Sequence, residues 1–82
     1  MVKFVEEVER FTQIYNKLDN FTRKKVKKQI EKIIQNPEVG KPMGYSRKGT
    51  RELYIKPFRL SYAYIKSEDR IILLDLYHKK KQ

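Results

Sequence analysis

Apolar positions along the chain set the first reading of its elements. Phe4, Val8, Phe11, Tyr15 and Leu18 recur at spacings of 4, 3, 4 and 3, the period of a single helical stripe. Asp19 and Asn20 interrupt it and carry side chains suited to capping a second helix. Val26, Ile30, Ile33 and Ile34 predict that helix over about Phe21 to Gln35. Asn36-Pro37 ends it, because the residue before proline avoids the helical region. Two helices joined by so few residues form an antiparallel hairpin, and both stripes read as core faces.

The second half changes period. Val39 to Gly49 reads as loop, punctuated by Gly40, Pro42, Gly44 and Gly49. Arg51 to Lys56 alternates as a strand, with Arg51, Leu53 and Ile55 on one side and Glu52, Tyr54 and Lys56 on the other. Pro57 forces a turn or an edge position. Phe58 to Lys66 alternates again, and Phe58, Leu60, Tyr62 and Tyr64 oppose Arg59, Ser61, Ala63 and Ile65. Ser67-Glu68-Asp69 is a turn cluster. Arg70 to Tyr77 is apolar enough to be a central strand. The expectation is an α+β fold: an N-terminal antiparallel helical hairpin packed on a three- to four-stranded, mainly antiparallel β-meander. Residues 1–82 are read as one domain, since a chain this short does not divide into two.

Composition narrows what such a domain does. Among 82 residues, 20 Lys and Arg oppose 10 Asp and Glu, for a net charge of +10. The absence of Cys excludes a disulfide framework and thiolate metal sites. A single His excludes a His-rich metal cluster. Six Tyr and four Phe make the chain too aromatic for a disordered basic tail. A folded basic domain takes an anionic partner. Residues 1–40 hold nine basic and six acidic side chains (+3), and residues 41–82 hold eleven and four (+7), so the second half is where an anion is expected. Arg23, Lys24, Lys25, Lys27, Lys28 and Lys32 also crowd the second helix. Like charges at i,i+4 cost a few tenths of a kcal/mol each. Such a face either meets a polyanion or serves solubility. The first ten residues carry three Glu and no signal-like apolar run. The longest apolar stretch, Ile71 to Leu74, is far shorter than a membrane span. A cytoplasmic protein with no membrane partner is expected.

The run Arg51-Glu52-Leu53-Tyr54-Ile55-Lys56-Pro57-Phe58-Arg59-Leu60-Ser61-Tyr62 resembles the signature of the RelE/ParE superfamily of toxins from toxin–antitoxin pairs. Leu74-Asp75-Leu76-Tyr77-His78-Lys79 is similar to that family's last strand, which ends in His-Arg or His-Lys. The order of elements fits as well. The resemblance implies the toxin of a type II pair: a ribosome-dependent mRNA endoribonuclease that needs no metal or small-molecule cofactor. It also implies a cognate acidic antitoxin that wraps the basic sheet face. Its alternative is a ParE-like poison of DNA gyrase, or a non-catalytic relative that binds RNA or the ribosome. This chain departs from RelE where Glu52 and Tyr54 replace basic residues, where no Tyr follows the His-Lys pair, and where the usual N-terminal strand is nearly missing, its Phe being Phe4.

Metal-free RNA cleavage proceeds by in-line attack of a 2′-hydroxyl on the adjacent phosphorus. It needs a base, a cation on the phosphoryl oxygens and an acid for the leaving oxygen. Arg59 is the first choice for the cation, with its planar, permanently charged fork. It also stands at the family's matching Arg, and its alternative role is to pair with Glu52. Lys79 matches a second cation of the family or is part of a frayed basic tail. His78, which matches the family's His, is the side-chain type whose unperturbed pKa lies near neutrality and is the natural proton carrier, or is simply solvated. Glu52 is a base or only satisfies Arg59. Arg47, Lys48, Arg51 and Lys56 are candidate phosphate contacts. Tyr54 or Tyr45 is placed to stack on a base or to pack at an edge.

Overall fold

The computed structural model, described for residues 2–44 and 49–78, opens on a strand rather than a helix. The elements are β1 (Phe4–Glu7), α1 (Glu9–Asn16), α2 (Asn20–Gln35), β2 (Lys41–Pro42), β3 (Thr50–Ile55), β4 (Phe58–Ile65) and β5 (Arg70–His78). They make an α+β fold with one mixed five-stranded sheet in the order β1-β5-β4-β3-β2. Two expectations are therefore corrected: the sheet has five strands, and the first helical stripe begins only after β1. Phe4 to Glu7 run parallel to β5, with Phe4 opposite Arg70 and Glu7 opposite Leu73. The Phe4 amide donates to the Asp69 carbonyl at 3.1 Å and the Val8 amide to the Leu73 carbonyl at 3.1 Å. The free edge of β5 thus captures this segment, since an unpaired strand edge is costly to leave bare. The loop expected over Val39 to Gly49 also contributes β2, whose two residues pair with Glu52 and Arg51.

The meander follows the reading closely. β3 and β4 are antiparallel and join through Lys56-Pro57, a cis peptide. A short 3-10 turn over Lys66–Glu68 and a left-handed Asp69 (φ 54°) lead into β5. One irregularity sets the site. Ser61 pairs with Asp75, but the next residue, Tyr62, pairs with Leu73. Leu74 is the extra residue of a β-bulge, and it shifts the phase of β5 by one. Ile71 and Leu73 point to the core before the bulge, and Leu76 does so after it.

Both helices cover the same sheet face. Phe11 of α1 and Val26 and Ile33 of α2 pack with Ile55, Leu60, Tyr62, Ile71, Leu73 and Leu76. Each such side chain contributes about 1.5–3 kcal/mol by leaving water. Arg10 of α1 pins the strand beyond the bulge, its Nε lying 3.0 Å from Asp75 Oδ1. Among the described residues, no helix is long and apolar enough to cross a membrane.

Candidate functional site

The Arg-Glu-Leu and Arg-Leu-Ser-Tyr elements pair across β3 and β4, and alternation divides them between the two sheet faces. Arg51 and Tyr62 are partners on the helix-covered face. The Tyr62 hydroxyl donates to the Pro37 carbonyl at 2.7 Å and accepts from the Gly40 amide at 2.9 Å. Arg51 Nη1 donates to the Glu38 and Gly40 carbonyls at 3.0 and 2.8 Å, and Nη2 lies 3.9 Å from the Glu38 carboxylate. Burial raises the pKa of the Tyr62 phenol, and the Gly40 amide opposes that shift. These two side chains tie the loop after α2 to the sheet. Arg51, read as a phosphate contact, has its guanidinium engaged with this loop.

The opposite face carries the chemistry. Register places Glu52 beside Ser61, Tyr54 beside Arg59, and Arg59 beside Tyr77. Glu52 is buried, only 7% exposed. Its Oε1 accepts from Arg59 Nη1 at 3.5 Å, and its Oε2 accepts from the Tyr77 hydroxyl. The Arg59 guanidinium carbon lies 5.7 Å from the centre of the half-exposed Tyr54 ring, a cation–π distance. Arg59 Nε is buried with no hydrogen-bond partner among the described residues, while the side chain as a whole stays 29% exposed. An arginine is therefore held at one edge by a carboxylate and covered on one side by an aromatic ring, with part of its side chain reaching solvent and its Nε buried.

Glu52, Tyr54 and Arg59 thus come together, joined by Tyr77, which sequence reasoning did not single out. His78 does not join them. It pairs with Phe58 on the helix-covered face, and the two rings meet edge to face with centroids 5.6 Å apart. Lys56 stands exposed in the β3–β4 turn, and its carbonyl accepts from Lys25 Nζ at 2.8 Å. Tyr45, Arg47, Lys48 and Lys79 lie outside the described residues. Alternation along β5 carried no signal for Tyr77, since it is the Leu74 bulge that sets it opposite Arg59 and on that face.

Residues 5–82 match the family model of the ParE toxin of the type II toxin–antitoxin system parDE. No curated protein matches. Among solved structures, the chain is similar to the toxin–antitoxin complex RelBE2 from Mycobacterium tuberculosis, at 20% identity over 96% of this chain and 100% of that one, with a TM-score of 0.84. It is similar to a YoeB/ParE toxin from Agrobacterium tumefaciens, at 15% identity over 93% and 98%, TM-score 0.82. The intact RelBE toxin–antitoxin complex of E. coli follows at 19% identity over 92% and 94%, TM-score 0.80. At such identities the likeness is one of fold.

Proposed function

The chain belongs to the ParE toxin family of type II toxin–antitoxin systems, and we propose that it acts in the cytoplasm as a metal-independent, ribosome-dependent mRNA endoribonuclease. The observation that carries this reading is the Arg59 guanidinium on the open sheet face, oriented by a buried carboxylate and flanked by two tyrosines. Arg59 takes the phosphoryl oxygens, where charge builds as the 2′-oxygen attacks. Tyr54 offers its half-exposed ring to a base. Tyr77 and Glu52 share Arg59's face and form a proton path. The 2′-hydroxyl proton passes to the Tyr77 oxygen as the Tyr77 proton passes to Glu52; the 2′-oxygen bonds to phosphorus, the bond to the 5′-oxygen breaks, and that leaving oxygen takes a proton from water. His78, on the other side of the strand, is the competing carrier, and Lys79 is the candidate second cation. A cognate acidic antitoxin neutralises the toxin by covering the basic face. Support comes from the net charge of +10 and from similar folds solved as toxin–antitoxin complexes.

A second reading, poisoning of DNA gyrase, is what resemblance to the ParE branch implies, and the chain matches the ParE toxin model. One experiment separates the two. Wild type and Arg59→Ala are induced without antitoxin, and mRNA ends, DNA breaks and growth are followed. The first reading expects growth arrest with cut mRNA and intact DNA. It also expects at least about a hundredfold loss of cleavage on purified ribosomes in Arg59→Ala, the scale of removing one donor to a developing charge. Intact mRNA with accumulating DNA breaks overturns it in favour of gyrase.

A further inference from the structure

The outward face of α2 is not absorbed by the sheet-face site. With about 100° per residue, Phe21, Lys24, Lys25, Lys28 and Lys32 fall within about 100° of arc, opposite the buried Val26 and Ile33. Phe21 is 70% exposed, the most exposed of the large hydrophobic residues described. Lys25 Nζ lies 5.6 Å from the centre of its ring. The same ammonium donates to the Lys56 carbonyl at 2.8 Å, which fixes this end of α2 beside the β3–β4 turn. Tyr54 and Arg59 pair just inside that turn on the open face. The charged helix face, the turn with its exposed Lys56 and the Arg59 cluster are therefore continuous around one end of the sheet.

We propose that this face is a second RNA-binding surface, on which lysines 24, 28 and 32 take backbone phosphates and Phe21 stacks on an unpaired base. It rests on the reading of the protein as an RNA-directed toxin, and it adds where the strand lies beyond the Arg59 site. RNA is favoured over an acidic protein segment by what the face lacks. A protein interface needs an apolar core, and the only apolar side chain on this arc is Phe21. A nucleic-acid interface is polar and strongly positive, and a lone exposed aromatic among cations suits stacking on single strands. From Phe21 to Lys32 the helix rises about 16 Å, enough for two or three nucleotides. The like-charge spacing along it costs isolated-helix stability, and bound phosphates relieve that repulsion.

The test measures binding of the full-length toxin to a fluorescent single-stranded RNA, and to purified ribosomes, across a salt series. Wild type is compared with Phe21→Ala, with the triple variant Lys24→Gln, Lys28→Gln, Lys32→Gln, and with Arg59→Ala. The expected result is a triple variant whose slope of log affinity against log salt is shallower by about 2, near 0.7 per lost single-strand contact. Phe21→Ala should bind about tenfold more weakly or worse with its slope unchanged, because stacking releases no counterions. Circular dichroism checks the fold of each variant. If both α2 variants keep wild-type affinity and slope while Arg59→Ala loses affinity, the proposal is overturned and the sheet-face site stands. If the α2 variants bind RNA normally but lose affinity for the antitoxin, the face serves a protein and the proposal is equally overturned. Wild type that binds neither RNA nor ribosomes defeats the underlying reading itself.

Discussion

Arg51 and Tyr62 face each other across β3 and β4 and grip the same stretch of loop. One binds the carbonyls of Glu38 and Gly40, and the other spans the Pro37 carbonyl and the Gly40 amide. Two conspicuous positions of the signature therefore hold the molecule together, which leaves Glu52 and Arg59 to face outward. Tyr62→Phe removes both hydroxyl contacts in a buried setting, and unfolding stability should fall by about 1–3 kcal/mol. The phenol's folded pKa lies above its unfolded value of 10.0. Its contribution is thus complete below that pH and disappears as pH rises through the folded value. Urea titrations should show the two proteins converging at strongly alkaline pH and diverging at neutrality.

Gly40 is held for space rather than for backbone freedom. A Cβ built there sits 2.7 Å from the Tyr62 hydroxyl oxygen, 2.8 Å from its ring and 3.0 Å from the Glu52 carbonyl oxygen. Neither a buried ring nor a strand backbone yields readily. Gly40→Ala should cost about 1–3 kcal/mol, a fall in melting temperature of roughly 4–8 °C per kcal/mol for a domain of this size. An unchanged melting temperature in Gly40→Ala would show that the loop is not clamped as described. Gly44, where an added Cβ meets nothing within 4 Å, is the matched control.

The strands and the second helix were legible because short-range periodicity sets them. β1 was not. Phe4, Val8 and Phe11 continue a helical spacing straight through it, and the partner that makes it a strand is Arg70 to Leu73, too far along the chain for any local pattern. The two residues of β2, one of them proline, carry no alternation to read. In the site, the pairing of Arg59 with Glu52, read as its alternative role, is present between β3 and β4. The assignment at the end of β5 turned on the Leu74 bulge. Strict alternation from Ile71 and Leu73 would send His78 to Arg59's face and bury Tyr77. The extra residue reverses both.

Loss of activity in Arg59→Ala has a structural rival, since it removes the cation beside a buried carboxylate that keeps its Tyr77 contact. Stability should fall by about 1.5–3 kcal/mol, the scale of a hydrogen bond between charged groups. Adding Glu52→Gln removes the charge left without its cation, so the double variant should be more stable than Arg59→Ala alone while remaining equally inactive. A double-mutant cycle on unfolding free energy measures the coupling. Activity that returns with stability in the double variant would mean that Arg59 supports the fold rather than the phosphate.

Tyr77 and His78 are neighbours on opposite faces, so the proton path can be assigned by changing one at a time. Tyr77→Phe keeps the ring beside Arg59 but removes the hydroxyl that donates to Glu52. If Tyr77 relays the proton, single-turnover cleavage on ribosomes should drop about 10²-fold or more, with RNA affinity and its salt slope unchanged. His78→Gln removes the edge contact with Phe58 on the helix-covered face and should lower the rate far less. Loss of cleavage in His78→Gln, together with full activity in Tyr77→Phe, would move the proton to the histidine and require the end of β5 to rearrange on the ribosome.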